Sequence, residues 1–93
     1  MMNILEEAQQ TVDGPRQKEY GDKHACFTKI GQLWGAYLGV EIKPSDVAHL
    51  MILLKVVRNM NNYKRDSMVD VAGYAYCADL IHQYENPSRY VGE

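Results

Sequence analysis

Residues 44–59 of this 93-residue chain read PSDVAHLMILLKVVRN, and this stretch decides the fold. Proline followed by short polar residues is typical of a first helical turn, so a helix is predicted from near Pro44 to about Asn59. Apolar residues lie almost all round its helical wheel. Such a helix is predicted to lie at the centre of a bundle, so the charges of Lys55 and Arg58 need a separate explanation.

Three further helices are predicted around this central one. Glycine, proline and asparagine divide the chain into segments whose apolar residues recur at helical spacing. The predicted segments are an amphipathic arm from Asn3 to Val12, a helix from its N-cap Asp22 to Gly39, and a helix from Asp66 to just before Pro87. No segment alternates between apolar and polar residues for five positions or more, so no strand is predicted.

The predicted fold is all-α: a small four-helix bundle-like domain with a short N-terminal helical arm and a central antiparallel hairpin of the third and fourth helices. A chain of 93 residues is long enough for one domain only, with residues 1–14 as the arm, 22–85 as the helical core and 86–93 as a tail. The second helix is predicted to pack across the hairpin, with Trp34 as its anchor. Its packing residues are predicted to be Phe27, Ile30, Trp34 and Leu38.

The composition and the apolar runs of the chain argue against two classes of partner, duplex nucleic acid and membranes. Ten Lys plus Arg against twelve Asp plus Glu give a net charge of −2, without the basic excess that duplex nucleic-acid binding requires. The longest nearly apolar run, 47–57, is too short to span a bilayer, and the first residues do not resemble a secretory signal. We therefore expect no membrane partner and a cytoplasmic location. Seven tyrosines on so small a core favour a homo-oligomer.

A polar stripe on the third helix faces an acidic one on the fourth. Lys55, Arg58, Asn59 and Asn62 recur at helical spacing, and so do Asp66, Asp70, Gly73 and Cys77. In an antiparallel hairpin the two stripes meet, which places Arg58 near Asp70 with the carboxylates pointing inward.

Two interpretations of this meeting point stay open. One is an internal ion pair that sets the register of the hairpin, with Asp66 as the N-cap of the fourth helix. The other is a site for an anionic ligand, because four cations accompany only two carboxylates and desolvated charge needs a partner. The cations are Lys55, Arg58, Lys64 and Arg65.

A second candidate cluster is RQKEYGD at 16–22. It is either a tight turn that leads into the cap at Asp22 or a binding segment. In the second interpretation Arg16 and Lys18 contact phosphates and Tyr20 stacks on a base.

Four segments of the chain resemble, in order and spacing, a small phage- and prophage-associated family of uncharacterised function. The segments are RQKEYGD at 16–22, FTKIGQLWGAYLG at 27–39, DVAHLMILLKVVR at 46–58 and DSMVDVAGYA at 66–75. The resemblance covers about Leu5 to Ile81, and Gly73-Tyr74 is among its most specific parts. We include Tyr74 among the candidate ligand-binding residues.

The segment DVAGYAYCADLI at 70–81 is more distantly similar to the last metal-binding helix of the all-α MazG-like nucleotide pyrophosphohydrolases. This similarity implies Mg²⁺ as a possible cofactor, held by carboxylates, with Asp70 and Asp66 as candidate catalytic residues. The candidate metal ligands are Asp66, Asp70, Glu19 and Asp22. The chain departs from the enzymes' pattern because its third helix has no ExxE and position 67 is serine.

Three functions follow as hypotheses. The first is a nucleotide-binding protein that sequesters a host or signalling nucleotide through Arg16, Lys18, Tyr20, Lys55, Arg58 and Tyr74. The second is a Mg²⁺-dependent nucleotide pyrophosphohydrolase. The third is a non-catalytic interaction protein whose tyrosines anchor an interface.

Overall fold

The computed structural model of the chain describes residues 1–14 and 22–86. Within these ranges the chain forms four helices and no strand, which confirms the all-α fold. The helices are α1 (Ile4–Asp13), α2 (Lys23–Leu38), α3 (Pro44–Asn61) and α4 (Arg65–Glu85). None of them has the length and apolar character needed to cross a membrane.

Local capping explains why α2 begins and ends, and α3 begins, where predicted. The Asp22 carboxylate accepts a hydrogen bond from the His24 amide at 3.0 Å, and Gly39 closes α2 in a left-handed conformation with φ of 75°. At the start of α3 the Asp46 carboxylate accepts from the Lys43 amide. These short-range contacts are encoded by neighbouring residues, so the sequence predicts them well.

The start of α4 is the exception. The helix begins at Arg65 with Lys64 in the N-cap position, so the expectation that Asp66 caps it is wrong. The Asp66 side chain lies exposed in the first turn instead, where a carboxylate interacts favourably with the positive end of the helix dipole.

The helix at the centre is α4, not α3 as predicted. It packs extensively against both α3 and α1, whereas α2 packs mainly on α3. Gly73 of α4 lies against α1, where a Cβ would be at an ordinary contact distance of 3.7 Å from the Val12 side chain. The buried apolar residues are Ala8, Val12, Val47, Ala48, Val69, Cys77 and Ile81. The apolar residues around nearly the whole helical wheel of α3 correctly indicated that this helix packs against others. They did not show which helix lies innermost.

The predicted N-terminal arm does dock, and α4 is the helix it docks on. Besides its buried side chains, α1 contributes Glu7, which forms an ion pair with Arg65 that lowers the pKa of the Glu7 carboxyl through a direct hydrogen bond. At the other end of α1, the Tyr76 hydroxyl donates to the Asp13 carboxylate at 2.6 Å. Polar contacts at both ends therefore hold the arm against the core.

The packing of α2 differs from the prediction. Trp34 is only half-buried and Leu38 is 60% exposed, so Leu38 does not help to anchor the helix. The buried residues of α2 are Gly31 and Gly35, against which the returning connection 40–42 lies. Close backbone approach along these glycines leaves the aromatic side of α2 at the margin of the core.

We predict that Gly31→Ala destabilises the protein by about 1 to 3 kcal/mol, the range typical of overpacking. A Cβ on Gly31 would lie 2.5 Å from the Ile42 carbonyl oxygen, and one on Gly35 would lie 2.5 Å from that of Val40. Gly73→Ala is the matched control, because its Cβ has room and alanine favours the helix by roughly 0.5 to 1 kcal/mol. Chemical unfolding followed by circular dichroism measures the stability of both variants and of the wild type. Equal stability of Gly31→Ala and Gly73→Ala would contradict the close approach of the connection to α2.

Candidate functional site

A polar cluster lies in the seam between α3 and α4, and we call it the seam cluster: Lys55, Asn59, Asp70 and Tyr74. The Lys55 ammonium lies 2.9 Å from the Asp70 carboxylate. The lysine side chain is only 16% exposed, whereas that of the aspartate is 41% exposed. Each helix supplies two residues one turn apart, so each pair projects from one face of its helix.

Asn59 occupies an unusual position in this cluster. Its Oδ1 accepts a hydrogen bond from the Lys64 amide at 2.9 Å, which orients the side-chain amide. Its Nδ2 is buried and has no hydrogen-bond partner among the described residues. Leaving a buried donor unpaired costs about 1 to 3 kcal/mol, so such groups are rare and need an explanation.

Tyr74 adds a phenol to the same seam. Burial raises the pKa of Tyr74; the charge of Lys55 opposes this shift and that of Asp70 adds to it. The ring centroid of Phe27 on α2 lies 6.3 Å from that of Tyr74. The phenol is therefore neutral at ordinary pH and can donate or accept a hydrogen bond beside the ion pair.

The structure brings only part of the predicted site together. Lys55, Asp70 and Tyr74 are neighbours, as a polar site between the third and fourth helices requires. Arg58 is not the residue that pairs with Asp70: it is exposed and makes no ion pair within 1–14 and 22–86. The expectation that both carboxylates point inward is also wrong, since Asp66 is exposed and Asp70 only half-buried.

The distance of each residue from the connection explains this difference. α3 ends at Asn61 and α4 begins at Arg65, so the connection is 62–64. Lys55 lies six residues before the end of α3 and Asp70 lies five residues after the start of α4, so the two lie at the same level of the hairpin. Arg58 lies only three residues before the end of α3, too near the connection to face Asp70.

Asn59 is the member of the cluster that the predicted site omitted, although it lies one turn from Lys55 in the polar stripe of α3. The candidates from the second cluster cannot be compared in the same way. Arg16, Lys18, Glu19 and Tyr20 lie outside the described residues.

The described residues do not fit a Mg²⁺ site. Over 1–14 and 22–86, no three His, Cys, Asp or Glu side chains come close enough together to hold a metal ion. Asp70 already pairs with Lys55, and Asp22 accepts a hydrogen bond at the start of α2. The chemistry that these residues support is recognition by donors and cations.

A second polar region lies where the start of α2 meets the end of α4. It surrounds a cavity of about 180 Å³ whose lining includes Asp22, Lys23, His24, Leu80, Ile81 and Tyr84. A His24 ring nitrogen lies 3.0 Å from the Glu85 carboxylate, and the ring centroids of His24 and Tyr84 are 4.4 Å apart. This volume is below the roughly 300 Å³ that small-molecule pockets usually have, so these contacts serve packing.

We predict opposite changes in the pKa of Tyr74 in two variants. Lys55→Met removes the charge that favours the phenolate and raises the pKa, whereas Asp70→Asn removes the charge that disfavours it and lowers the pKa. Carbon-13 NMR of labelled tyrosine rings measures both changes, with Tyr74→Phe assigning the signal. Lys29→Met, on the exposed side of α2, is the control and leaves the pKa unchanged. If neither variant moves the titration, the seam cluster is not formed in solution.

Comparison of the sequence with those of known proteins places the chain in a family. The chain is 50% identical over 76 residues to the Gene 55 protein of Mycobacterium phage L5, an alignment that covers 80% of this chain and 49% of that protein. It is 48% identical over 86 residues to the Gene 55 protein of Mycobacterium phage D29, covering 91% of this chain and 56% of that protein. This chain thus spans about half the length of these relatives.

No solved structure matches the chain. The family described as "Domain of unknown function (DUF6378)" matches residues 3–82, which include all of α1, α2 and α3 and most of α4. The two relatives are phage proteins, in agreement with the expected resemblance. On this match the chain belongs to the DUF6378 family.

Proposed function

We propose that the seam cluster binds the phosphates of a nucleotide, and that the protein sequesters a host or signalling nucleotide in the cytoplasm of an infected cell. The observation that carries the proposal is the buried, unpaired amide of Asn59 one turn from Lys55. An anion at the seam would accept a hydrogen bond from this amide and interact with the lysine at the same time.

The balance of charge supports an anionic ligand. Arg58 and Lys64, near the ends of the two helices, make no ion pair in the described part of the chain, while Arg65 is already paired with Glu7. Charge-assisted hydrogen bonds to a phosphate contribute on the order of 1.5 to 3 kcal/mol each. The two available cations, Arg58 and Lys64, and the unpaired amide donor of Asn59 therefore suit a phosphate better than a neutral ligand.

An ion pair with a purely structural role explains fewer of these features than a bound ligand does. The Asp70 side chain is 41% exposed, so solvent screens the pair and its contribution to stability is about 1 kcal/mol or less. Such a pair would set the register of the hairpin, but it would leave the Asn59 amide unsatisfied. A ligand accounts for both features.

Hydrolysis is the alternative, on the resemblance of 70–81 to the MazG-like enzymes. It needs carboxylates around Mg²⁺, and Asp66 and Asp70 alone do not provide them. Glu19 would have to take part. We therefore propose binding without turnover.

We predict that the protein binds at least one nucleotide and that Lys55→Met and Arg58→Ala each weaken binding by about tenfold or more. Calorimetric titration with a nucleotide panel, with and without Mg²⁺, measures the affinity. Lys29→Ala is the matched control because it removes an exposed cation from α2, away from the seam. Because the Lys55–Asp70 pair is half-exposed, the unliganded variants remain within about 1 kcal/mol of the wild type in stability.

Three outcomes separate the hypotheses. Binding without release of pyrophosphate supports sequestration. Release of pyrophosphate that disappears in Asp70→Asn establishes the hydrolase instead. If no nucleotide binds, the proposed site is wrong, and strong destabilisation of unliganded Lys55→Met then shows that the ion pair is structural.

A further inference from the structure

The outer surface of α3 carries large apolar side chains, although it faces away from the other helices that the structure describes. Five large side chains at helical spacing form a continuous band, which we call the α3 stripe: Leu50, Leu53, Leu54, Val57 and Met60. Leu53 is 60% exposed, Val57 is 61% exposed and Met60 is 80% exposed. The polar residues Lys55 and Asn59 lie on the opposite face, toward α4.

This distribution reverses the usual pattern of a surface helix, which buries its apolar face and exposes its polar one. The inward polar residues have partners or a proposed ligand, but the described residues supply nothing to cover the stripe. Monomeric soluble proteins rarely expose contiguous apolar patches larger than a few hundred Å², and larger ones mark interaction sites. The five side chains of the stripe are each at least 41% exposed, so the stripe is a candidate for such a patch.

We propose that the α3 stripe is a homodimer interface, in which the α3 helices of two copies of this chain pack antiparallel about a two-fold axis. The hairpin of α2 and α3 also exposes Leu33, Tyr37, Leu38 and Val40. A standard stable interface buries about 800 Å² per partner, so we take these residues to extend the interface beyond the five side chains of the stripe.

The charges at the ends of the helix fit a second copy of the chain. No charged residue lies within the stripe, but Asp46 lies at its start, and Arg58 and Lys64 lie toward its end. In an antiparallel pair the acidic start of each helix lies beside the basic end of the other, and the opposed helix dipoles are also favourable. A self-complementary patch of this kind is what a two-fold axis requires.

The spacing of the stripe agrees with helix pairing. Four of its members, Leu50, Leu53, Val57 and Met60, are separated by steps of three, four and three, which is the repeat that keeps one seam facing a partner helix. A lipid surface fits less well, because Asp46 at the start of the stripe would repel an anionic headgroup. The apolar contacts of this interface are separate from Lys55 and Asn59 of the nucleotide site, which lie on the inner side of the same helix. Arg58 and Lys64 are the residues that both proposals use.

Sedimentation velocity tests the proposal on the full chain at micromolar concentrations. We expect the wild type to sediment at twice the chain mass of 10.6 kDa. Leu53→Glu places a charge near the two-fold axis and is expected to raise the dimer dissociation constant at least about thirtyfold. Leu5→Glu is the matched control, because Leu5 is a leucine of α1 that is 68% exposed outside the stripe, and this variant remains dimeric.

A charge-swap experiment guards against a variant that merely fails to fold. Leu53→Lys alone is expected to be monomeric, whereas an equimolar mixture of Leu53→Glu and Leu53→Lys recovers the dimer, since opposite charges then face each other across the axis. Circular dichroism confirms that each variant is helical. A monomeric wild type, or a Leu53→Glu variant that dimerises as tightly as the wild type, would overturn the proposal.

Discussion

The register in which α3 packs on α4 is the constraint on which the arrangement of this chain depends. The ion pair between Lys55 and Asp70 crosses the seam between these two longest helices and marks how far one lies along the other. With Lys55 facing α4, the helical repeat directs Asn59 inward as well and turns Leu53 and Val57 to the opposite side. The register of one helix pair therefore determines both what the seam contains and what the outer surface of α3 presents.

Much of the secondary structure could be predicted because its signals are local. Asp22 and Gly39 begin and end α2 through contacts within a few residues, and the first turn of α3 follows from Pro44 and Asp46. The start of α4 was displaced by one residue because Lys64 provides no side-chain cap, which left Asp66 as the most cap-like residue in the sequence. That displacement is small and leaves Lys55 and Asp70 at the same level of the hairpin; the predicted pair with Arg58 was wrong because Arg58 lies three residues nearer to the connection than Lys55.

The tertiary arrangement was harder to predict, for two physical reasons. A helix that is apolar nearly all round has no directional signal, so the pattern of α3 could not show which face would pack against the chain. The close contact of Gly31 and Gly35 with the connection 40–42 depends on the absence of side chains, which a search for large apolar residues does not detect. Asn59 was omitted from the predicted site for a related reason. The sequence does not show that an amide in a polar stripe is buried until the position of the neighbouring helix is known.

Because the core is small, the exposed apolar surface of α3 bears on the stability of the chain. Among the described residues only seven apolar side chains are buried, and several of these are alanine, valine or cysteine. Small domains bury a modest fraction of their surface and are correspondingly marginal in stability. Association through α3 would cover the leucines that the monomer leaves in water, and the free energy of association would then add to that of folding. Because the same helix carries Lys55 on its inner side, anything that stiffens α3 also stiffens one wall of the seam cluster. The helix thus links the stability of the chain to the geometry of its polar site.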